Sequence, residues 1–493
     1  MNKKRLTSLI TGALLVTSAQ ALACTTIIVG NEQSTDGSYL IGRNEDYKAT
    51  NAKHFIYHPH ATNQTGEFKS VIGNNFTYPL PAESLAYTSV HDFDSEDKSM
   101  GEVGFNELGV AFTGTETIDA GEKALAVDPY VEDTGITEDA IENIILPRAH
   151  TAKEGIELLG KIIEEHGSGE GFGVAIGDKD GVWYLENAAG HRWMAVKMPK
   201  DKYFVSANQG RLREYDPNDK ENYMGSADLI EFAVANGLYD PAKDGKFDFH
   251  KAYSQDVERD KKYNYPRVWV LQNMITSGLN TKVDQGTEFP VFLKADKKMS
   301  VETVKSMLRN HYNGTEHDPY NNANPNEFYR PISVFRGQES HVMQIRPNMP
   351  AEIGNVNYLA IGMPSLGLYL PYYQGMTSYI PGYEIGTDQA SDDSVNWTYR
   401  KLQTLVMQNY KEYAPIVIKA YADFEAETAK KQVEMEKQYL AVYQQYPEQA
   451  KAILQNFENK VMQDGLQLTK DLTNQIFTKL TADTDTKYKF SGH

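Results

Sequence analysis

The chain has 493 residues, of which 40% are hydrophobic, 11% aromatic and 24% charged. That is the composition of a globular protein with room for a large core, and it excludes a collagenous, low-complexity or largely disordered chain. Its 49 Lys and Arg against 67 Asp and Glu give a formal net charge of −18, a poor match for phosphate backbones or anionic membrane surfaces, so no nucleic-acid partner is expected.

The first element in chain order is an export signal. MNKKR is a basic start, residues 6–16 are largely apolar, and Ala21-Leu22-Ala23 is a small-x-small cleavage site. The apolar run is too short to anchor the chain across a bilayer, and no longer one follows. Residues 1–23 are therefore expected to be a removed signal peptide. The protein is expected to be secreted or periplasmic, with no stable membrane anchor. Export commonly brings disulfides, but Cys24 is the single cysteine, so none forms within the chain.

Cleavage after Ala23 would leave Cys24 as the N-terminal residue, with a thiol and an α-amine on one residue. Three readings compete for it: an incidental cysteine, an acylated cysteine of a lipid-anchored, non-catalytic binding protein, or an N-terminal nucleophile. The lipidation signal usually has Leu three residues before the cysteine, where Ala21 stands here. A nucleophilic thiol needs a base to take its proton. An α-amine with a pKa of about 8 lies close to a thiol at about 8.5, so one residue supplies both groups.

Residues 25–30 (TTIIVG) are β-branched and apolar and read as a buried strand. Residues 31–37 are turn chemistry ending in Asp-Gly, and residues 38–43 are a second strand. Pairing about a turn centred near Thr35 sets Cys24 opposite about position 46 and returns Arg43, Asn44 and Asp46 to the thiol. A cation there favours the thiolate, and a carboxylate there holds an ammonium or orients a substrate. Strands are expected to dominate residues 25–45, 101–118 and 171–206, with residues 171–196 forming a meander. Helices are expected at about 137–146 and 152–166, the second opened by a Thr151/Glu154 capping box. The pattern by itself supports mixed α/β.

From about Trp397 the chain is rich in Lys, Glu, Gln, Ala and Tyr, and Leu468, Leu472, Ile476 and Leu480 share one helical face. Helices are expected at about 398–412, 415–445 and 448–482, with breaks at Pro415 and Pro447 and another near Gly465. This segment reads as a cap, an oligomer contact or helices packed back on the core.

C-T-T-I-I-V-G from Cys24, followed by D-G-S-Y-L-I-G-R-N-E-D-Y from Asp36, resembles the secreted N-terminal-nucleophile cysteine dipeptidases of the dipeptidase A family. More distantly it resembles choloylglycine hydrolase and penicillin V acylase. Further blocks follow in order: Gly104-Phe105-Asn106-Glu107-Leu108-Gly109-Val110, Val205-Ser206-Ala207-Asn208-Gln209-Gly210, Tyr265-Pro266-Arg267-Val268-Trp269, Glu339-Ser340-His341-Val342 and Leu370-Pro371-Tyr372-Tyr373. The resemblance implies an N-terminal nucleophile hydrolase fold, a four-layer αββα sandwich over residues 24–395, with residues 396–493 as a C-terminal helical extension. It implies Cys24 as nucleophile with its own amine as base, Arg43 and Asp46 as the polar pair beside it, Asn208 as an oxyanion-stabilising or thiol-orienting amide, and Arg267 as the last active-site arginine. It implies no cofactor and no metal. An ungapped count from Asn106 sets Glu116 where the choloylglycine branch has a further asparagine. An ionised carboxylate donates nothing to an oxyanion, so Glu116 is read as a candidate for the ammonium of a free dipeptide.

Other motifs point elsewhere. His54, His58 and His60 read as loop histidines, because Pro59 interrupts them and no Cys or carboxylate cluster flanks them. His341 reads as structural. Neither H-E-x-x-H nor G-x-S-x-G occurs. The expected function is hydrolysis of dipeptides through a thioester on Cys24. An amidase of N-acyl compounds, of bile-salt or penicillin V type, is the alternative within the class. Whether the protein is a homo-oligomer stays open.

Overall fold

The computed structural model describes residues 24–71, 74–93, 100–321 and 329–490, apart from the side chains of Thr115 and Glu116. The signal-peptide reading of residues 1–23 lies outside the described residues.

In chain order the sheet strands are β1 (Thr25–Val29), β2 (Tyr39–Asp46), β3 (Val103–Phe105), β4 (Ala111–Thr117), β5 (Phe172–Asp178), β6 (Gly181–Asn187) and β7 (Trp193–Lys197). They continue with β8 (Tyr203–Ser206), β9 (Tyr223–Gly225), β10 (Phe292–Leu293), β11 (Gly337–Ile345), β12 (Asn355–Ile361) and β13 (Leu370–Tyr373). A seven-stranded sheet runs β10-β8-β1-β2-β11-β12-β13, and a six-stranded sheet runs β9-β7-β6-β5-β4-β3. Every neighbouring pair is antiparallel. The β1, β2, β5 and β6 residues are all buried, including the polar Arg43, Asn44, Glu45 and Asp46 that end β2.

The main helices are α1 (Glu138–Ile145), α2 (Ala152–His166), α3 (Tyr265–Ile275), α4 (Val301–Leu308), α5 (Val395–Val406), α6 (Tyr410–Val442) and α7 (Pro447–Lys487). One core joins both sheets, with Ile28, Ile41, Met343 and Ile345 packed among Ala175, Val182 and Tyr184. On the six-stranded sheet, Phe112, Val174 and Ile176 meet Ile141, Ile145 and Ile156 of α1 and α2. On the seven-stranded sheet, Ile27, Val205 and Val342 meet Val268, Leu271, Val304 and Leu308 of α3 and α4. Gly42 makes this second contact close, since a Cβ there would stand 2.5 Å from Val304 Cγ1.

The sequence-derived helices at 137–146 and 152–166 fall within a residue of α1 and α2. The α2 cap differs in detail. Thr151 accepts from the Glu154 N–H at 3.1 Å, but Glu154 turns back to the N–H of His150 rather than Thr151. The C-terminal breaks also differ. Pro415 lies within α6, in its second turn, and α7 runs unbroken through Gly465. Gly465 faces Leu368 and Leu370, so the absent side chain serves helix-to-sheet contact.

These last helices close the free edge of the seven-stranded sheet. Beside β13 the Tyr369 N–H donates to Glu425 of α6 at 2.9 Å, and the Tyr373 N–H donates to Glu458 of α7 at 2.8 Å. Between them stands Pro371, which has no N–H to satisfy.

Candidate active site

The β1–β2 hairpin sets the site. Thr25 pairs with Asn44 and Thr26 with Arg43, one step from the register expected from the turn. Strand alternation then separates the side chains by face. Cys24, Thr26, Arg43 and Glu45 share the face toward the six-stranded sheet. Thr25, Asn44 and Asp46 share the face toward α3 and α4.

Cys24 is held from both faces. Arg43 Nη2 lies 3.0 Å from its Sγ and 2.9 Å from Glu102 Oε2, which begins the chain into β3. On the other face Arg267 of α3 donates from Nη1 to the Cys24 carbonyl at 2.5 Å and to Thr25 Oγ1 at 3.0 Å. Its Nη2 donates to Asn208 Oδ1 at 2.9 Å and Asn264 Oδ1 at 2.6 Å, and its Nε to the Tyr263 carbonyl at 2.8 Å. All five guanidinium N–H groups are thus spent on uncharged oxygens.

The electrostatics follow from burial. Cys24 is 1% exposed. Burial pushes its thiol well up, and the Arg43 cation opposes this without reversing it. The thiol is therefore protonated at rest and needs a base. Burial, reinforced by Arg330, pulls the Arg267 guanidinium down to about 9, still protonated at neutral pH. Asp46 is fully buried and paired with Arg330 through Oδ2, while its Oδ1 has no hydrogen-bond partner among the described residues. Burial raises this carboxyl and Arg330 works against the rise.

Behind Arg43 lies a buried polar layer. Lys53 Nζ bridges Glu45 and Asp92 at 2.5 Å each. Glu45 is pushed up to about 7 by burial, with Lys53 opposing. Glu142 of α1, bonded to the Ser89 hydroxyl, is pushed up to about 8 by burial.

Of the residues that the resemblance singled out, Arg43 lies on the Cys24 sulfur, Arg267 lies on the Cys24 carbonyl and on Asn208, and Asp46 stands on the opposite face of the hairpin, paired with Arg330. The structure does not bring Asn44 to the thiol. The Asn44 amide donates to the carbonyls of Leu308 and Ile332, because it sits one residue out of phase with Arg43. Glu116 lies beyond a β4 irregularity, paired with Gly173, and its side chain lies outside the described residues. His341 is structural: Nδ1 meets Glu339 at 2.9 Å and Nε2 meets Thr113 Oγ1 at 2.9 Å, tying one sheet to the other. His54, His58 and His60 diverge, toward the Gly386 carbonyl, the Tyr87 ring and Glu107. Among the described residues no group of three His, Cys, Asp or Glu is arranged to hold a metal ion. A surface cleft of about 560 Å³, lined by Lys197, Arg213, Tyr223 and Phe292 among others, includes none of the site residues.

Sequence reasoning missed Glu102, Asn264, Tyr263 and Arg330. Asn264 was the most accessible, since it stands three residues before Arg267 on the same helical turn. Glu102 reaches the site from the chain leading into β3, and Arg330 from a loop whose N–H donates to the Lys262 carbonyl, long-range contacts that no local motif announces.

The profile of Peptidase family C69 matches residues 23–423. The chain belongs to this peptidase family. A "Probable dipeptidase" of Salmonella dublin is 59% identical over 372 residues, covering 76% of this chain and 86% of that protein. A "Probable dipeptidase" of Latilactobacillus sakei is 36% identical over 391 residues, covering 79% and 82%. Among solved structures, penicillin V acylase from Agrobacterium tumefaciens covers 69% of this chain and 86% of its own at 12% identity, with a TM-score of 0.28, a likeness too slight to bear on the fold. The C69 match extends past residue 395 into α6.

Proposed function

We propose that this C69 peptidase is an exported cysteine dipeptidase, secreted or periplasmic, in which Cys24 becomes the N-terminal nucleophile. The observation that carries the reading is the clamp on Cys24, with Arg43 Nη2 at 3.0 Å from the sulfur and Arg267 on its carbonyl. The relatives named as probable dipeptidases supply the substrate class. The raised thiol supports an added base. The unpartnered buried Oδ1 of Asp46 supports an ammonium arriving beside Cys24 once its peptide bond to Ala23 is cut.

In this reading the freed amine takes the thiol proton as sulfur bonds to the scissile carbonyl carbon. Asn208 is oriented by Arg267 on its Oδ1, which makes Nδ2 its donating end, the polarity an oxyanion needs. The C–N bond breaks, the amine returns the proton to the departing amino acid, and a thioester remains. The same amine then deprotonates water, which displaces the thiol. Glu116 takes the substrate's ammonium. The helices packed outside both sheets support a four-layer αββα arrangement within residues 24–395, with residues 396–493 as a helical extension.

The test is amine release from a panel of free dipeptides, with penicillin V and a glycine-conjugated bile salt alongside. Processed protein, with Cys24 verified by intact mass as an unmodified N-terminus, is compared with Cys24→Ala. Dipeptide turnover that drops about 10³-fold or more in Cys24→Ala is expected. Turnover of the N-acyl amides instead would move the protein to the amidase class and remove the role given to Glu116. An acylated Cys24 with no turnover would make it a lipid-anchored binding protein.

A further inference from the structure

Asn208 stands on a turn just past the end of β8. The pairing of β8 with β1 ends at Ser206, and the Gln209 N–H donates back to the Ala207 carbonyl at 2.7 Å, a three-residue turn centred on Asn208. The turn is held from outside the strand. Asn264 Nδ2 donates to the Asn208 carbonyl at 2.8 Å. Glu186 of β6 accepts the N–H groups of Arg211 at 2.7 Å and Leu212 at 3.2 Å. Between these holds the Gly210 carbonyl meets His250 Nδ1 at 2.8 Å. A carbonyl only accepts, so Nδ1 carries the hydrogen.

His250 is buried, on the short helical segment Phe249–Tyr253. Its Nε2 meets Asp256 Oδ2 at 2.7 Å, and the Tyr265 hydroxyl donates to Asp256 Oδ1 at 2.9 Å. Tyr265 opens α3, the helix that carries Arg267. The contacts therefore form a closed circuit. They pass from the Asn208 turn through Gly210, His250, Asp256 and Tyr265 to α3, and return from Arg267 Nη2 to Asn208 Oδ1 at 2.9 Å. A satisfied buried network of this kind rigidifies what it joins. The turn also rests directly on the chain beside His250, since a Cβ at Gly210 would stand 2.2 Å from Ser254 Oγ.

An oxyanion donor helps only where it is aimed before the charge develops, and a misplacement of about 1 Å can cost about 100-fold in rate. We infer that His250, anchored by Asp256, is a positioning residue of the hydrolysis: it fixes the turn that aims the Asn208 amide. The inference rests on the oxyanion role given to Asn208 and deepens it. His250 acts through the Gly210 carbonyl and is not itself a catalytic residue.

The experiment separates the two nitrogens of the His250 ring. His250→Asn places an amide near the Nδ1 position and keeps a donor for Gly210, whereas His250→Gln places it near Nε2 and keeps only the Asp256 contact. On a dipeptide that the processed wild type cleaves, His250→Gln is expected to lower kcat at least about tenfold with KM within about threefold, and His250→Asn to recover most of that loss. Asn208→Ala is expected to lose about 100-fold, and adding His250→Gln to it to cost less than about twofold more. Tyr265→Phe opens the circuit at one hydroxyl with little risk to folding. It is expected to lower kcat about threefold, and wild-type kcat there would overturn the anchoring by Asp256. Without any substrate, hydrogen exchange of the 206–212 amides is expected to quicken at least about tenfold in His250→Gln and to stay near wild type in His250→Asn. Equal kcat losses in the two His250 variants, a loss confined to KM, or unchanged exchange in His250→Gln would overturn the positioning role. So would a His250→Gln loss that adds in full to that of Asn208→Ala. Full activity in Asn208→Ala would overturn the oxyanion reading and the inference with it. No dipeptide cleavage by the wild type, with the exchange contrast intact, would overturn the dipeptidase reading and leave the hold on the turn standing.

Discussion

Glu142 is a carboxyl that the fold keeps as an acid. It is fully buried, pushed up to about 8 by burial, and its Oε1 has no hydrogen-bond partner among the described residues. An unfolded glutamate titrates near about 4.3. Between those values the folded chain holds a proton that the unfolded chain has lost, so stability falls as pH rises through that window, by up to about 1.4 kcal/mol per pH unit for one such group. Glu142→Gln keeps a neutral side chain of the same shape and removes the titration. Its urea midpoint is expected to fall less than that of wild type between pH 5 and 8. Parallel slopes in the two proteins would show that Glu142 is not the group responsible. Arg43 belongs to the same layer but resolves its burial differently. Burial lowers its guanidinium, yet the acidic groups around it, Glu102 and Glu45 among them, outweigh that and hold it charged. One buried ionisable group is thus neutral and the next is paired, and only the paired one faces the thiol.

At the scale of elements, the contact between α7 and β13 is the most exposed to a simple test. Burial pushes Glu458 far above the usual carboxylate range, so it accepts the Tyr373 N–H as a neutral acid. Glu458→Gln retains the accepting oxygen and is expected to cost little. Glu458→Ala leaves a buried N–H unpaired and is expected to cost about 1–3 kcal/mol in urea unfolding. Equal losses in the two variants would assign the effect to volume rather than to the hydrogen bond. The same contrast shows what the sequence made legible. The β1–β2 hairpin, α1 and α2 were readable because turn residues, β-branched runs and helical spacing act over neighbours. Arg43 and Asp46 came to Cys24 by counting along that hairpin. Asn44 was misplaced because alternation turns it to the opposite face, and a count of positions near a turn does not weigh faces. Pro415 was read as a break that opens a helix, but α6 begins at Tyr410 and carries the proline inside its second turn. Glu102, Arg330 and the β10-β8-β1-β2-β11 order depend on pairings between segments up to hundreds of residues apart, for which the sequence carries no local mark.

For the whole molecule, the C-terminal helices are continuous with the core. Tyr399, Leu402, Val417, Tyr421, Met462 and Ile476 share one apolar cluster with Ile28 and Ile41 of the hairpin that carries Cys24. A chain ending at Asp393 would expose that surface together with the β13 edge, and unpaired edges template association. Such a truncated chain is expected to elute as large oligomers or to fail to remain soluble, where the full chain does not. A monodisperse, active fragment would show that residues 396–493 are dispensable for the hydrolase domain. The Tyr373–Glu458 contact also has a consequence in time. On a growing chain the edge strand is made 85 residues before the glutamate that covers it. At about 5–20 residues per second, that is an interval of roughly 4–17 s. Throughout it β13 has no cover from α7; Pro371 is present from the start, and Glu425 of α6 follows before Glu458 is made. The proline within the strand therefore protects the nascent chain, and the two glutamates protect the finished one.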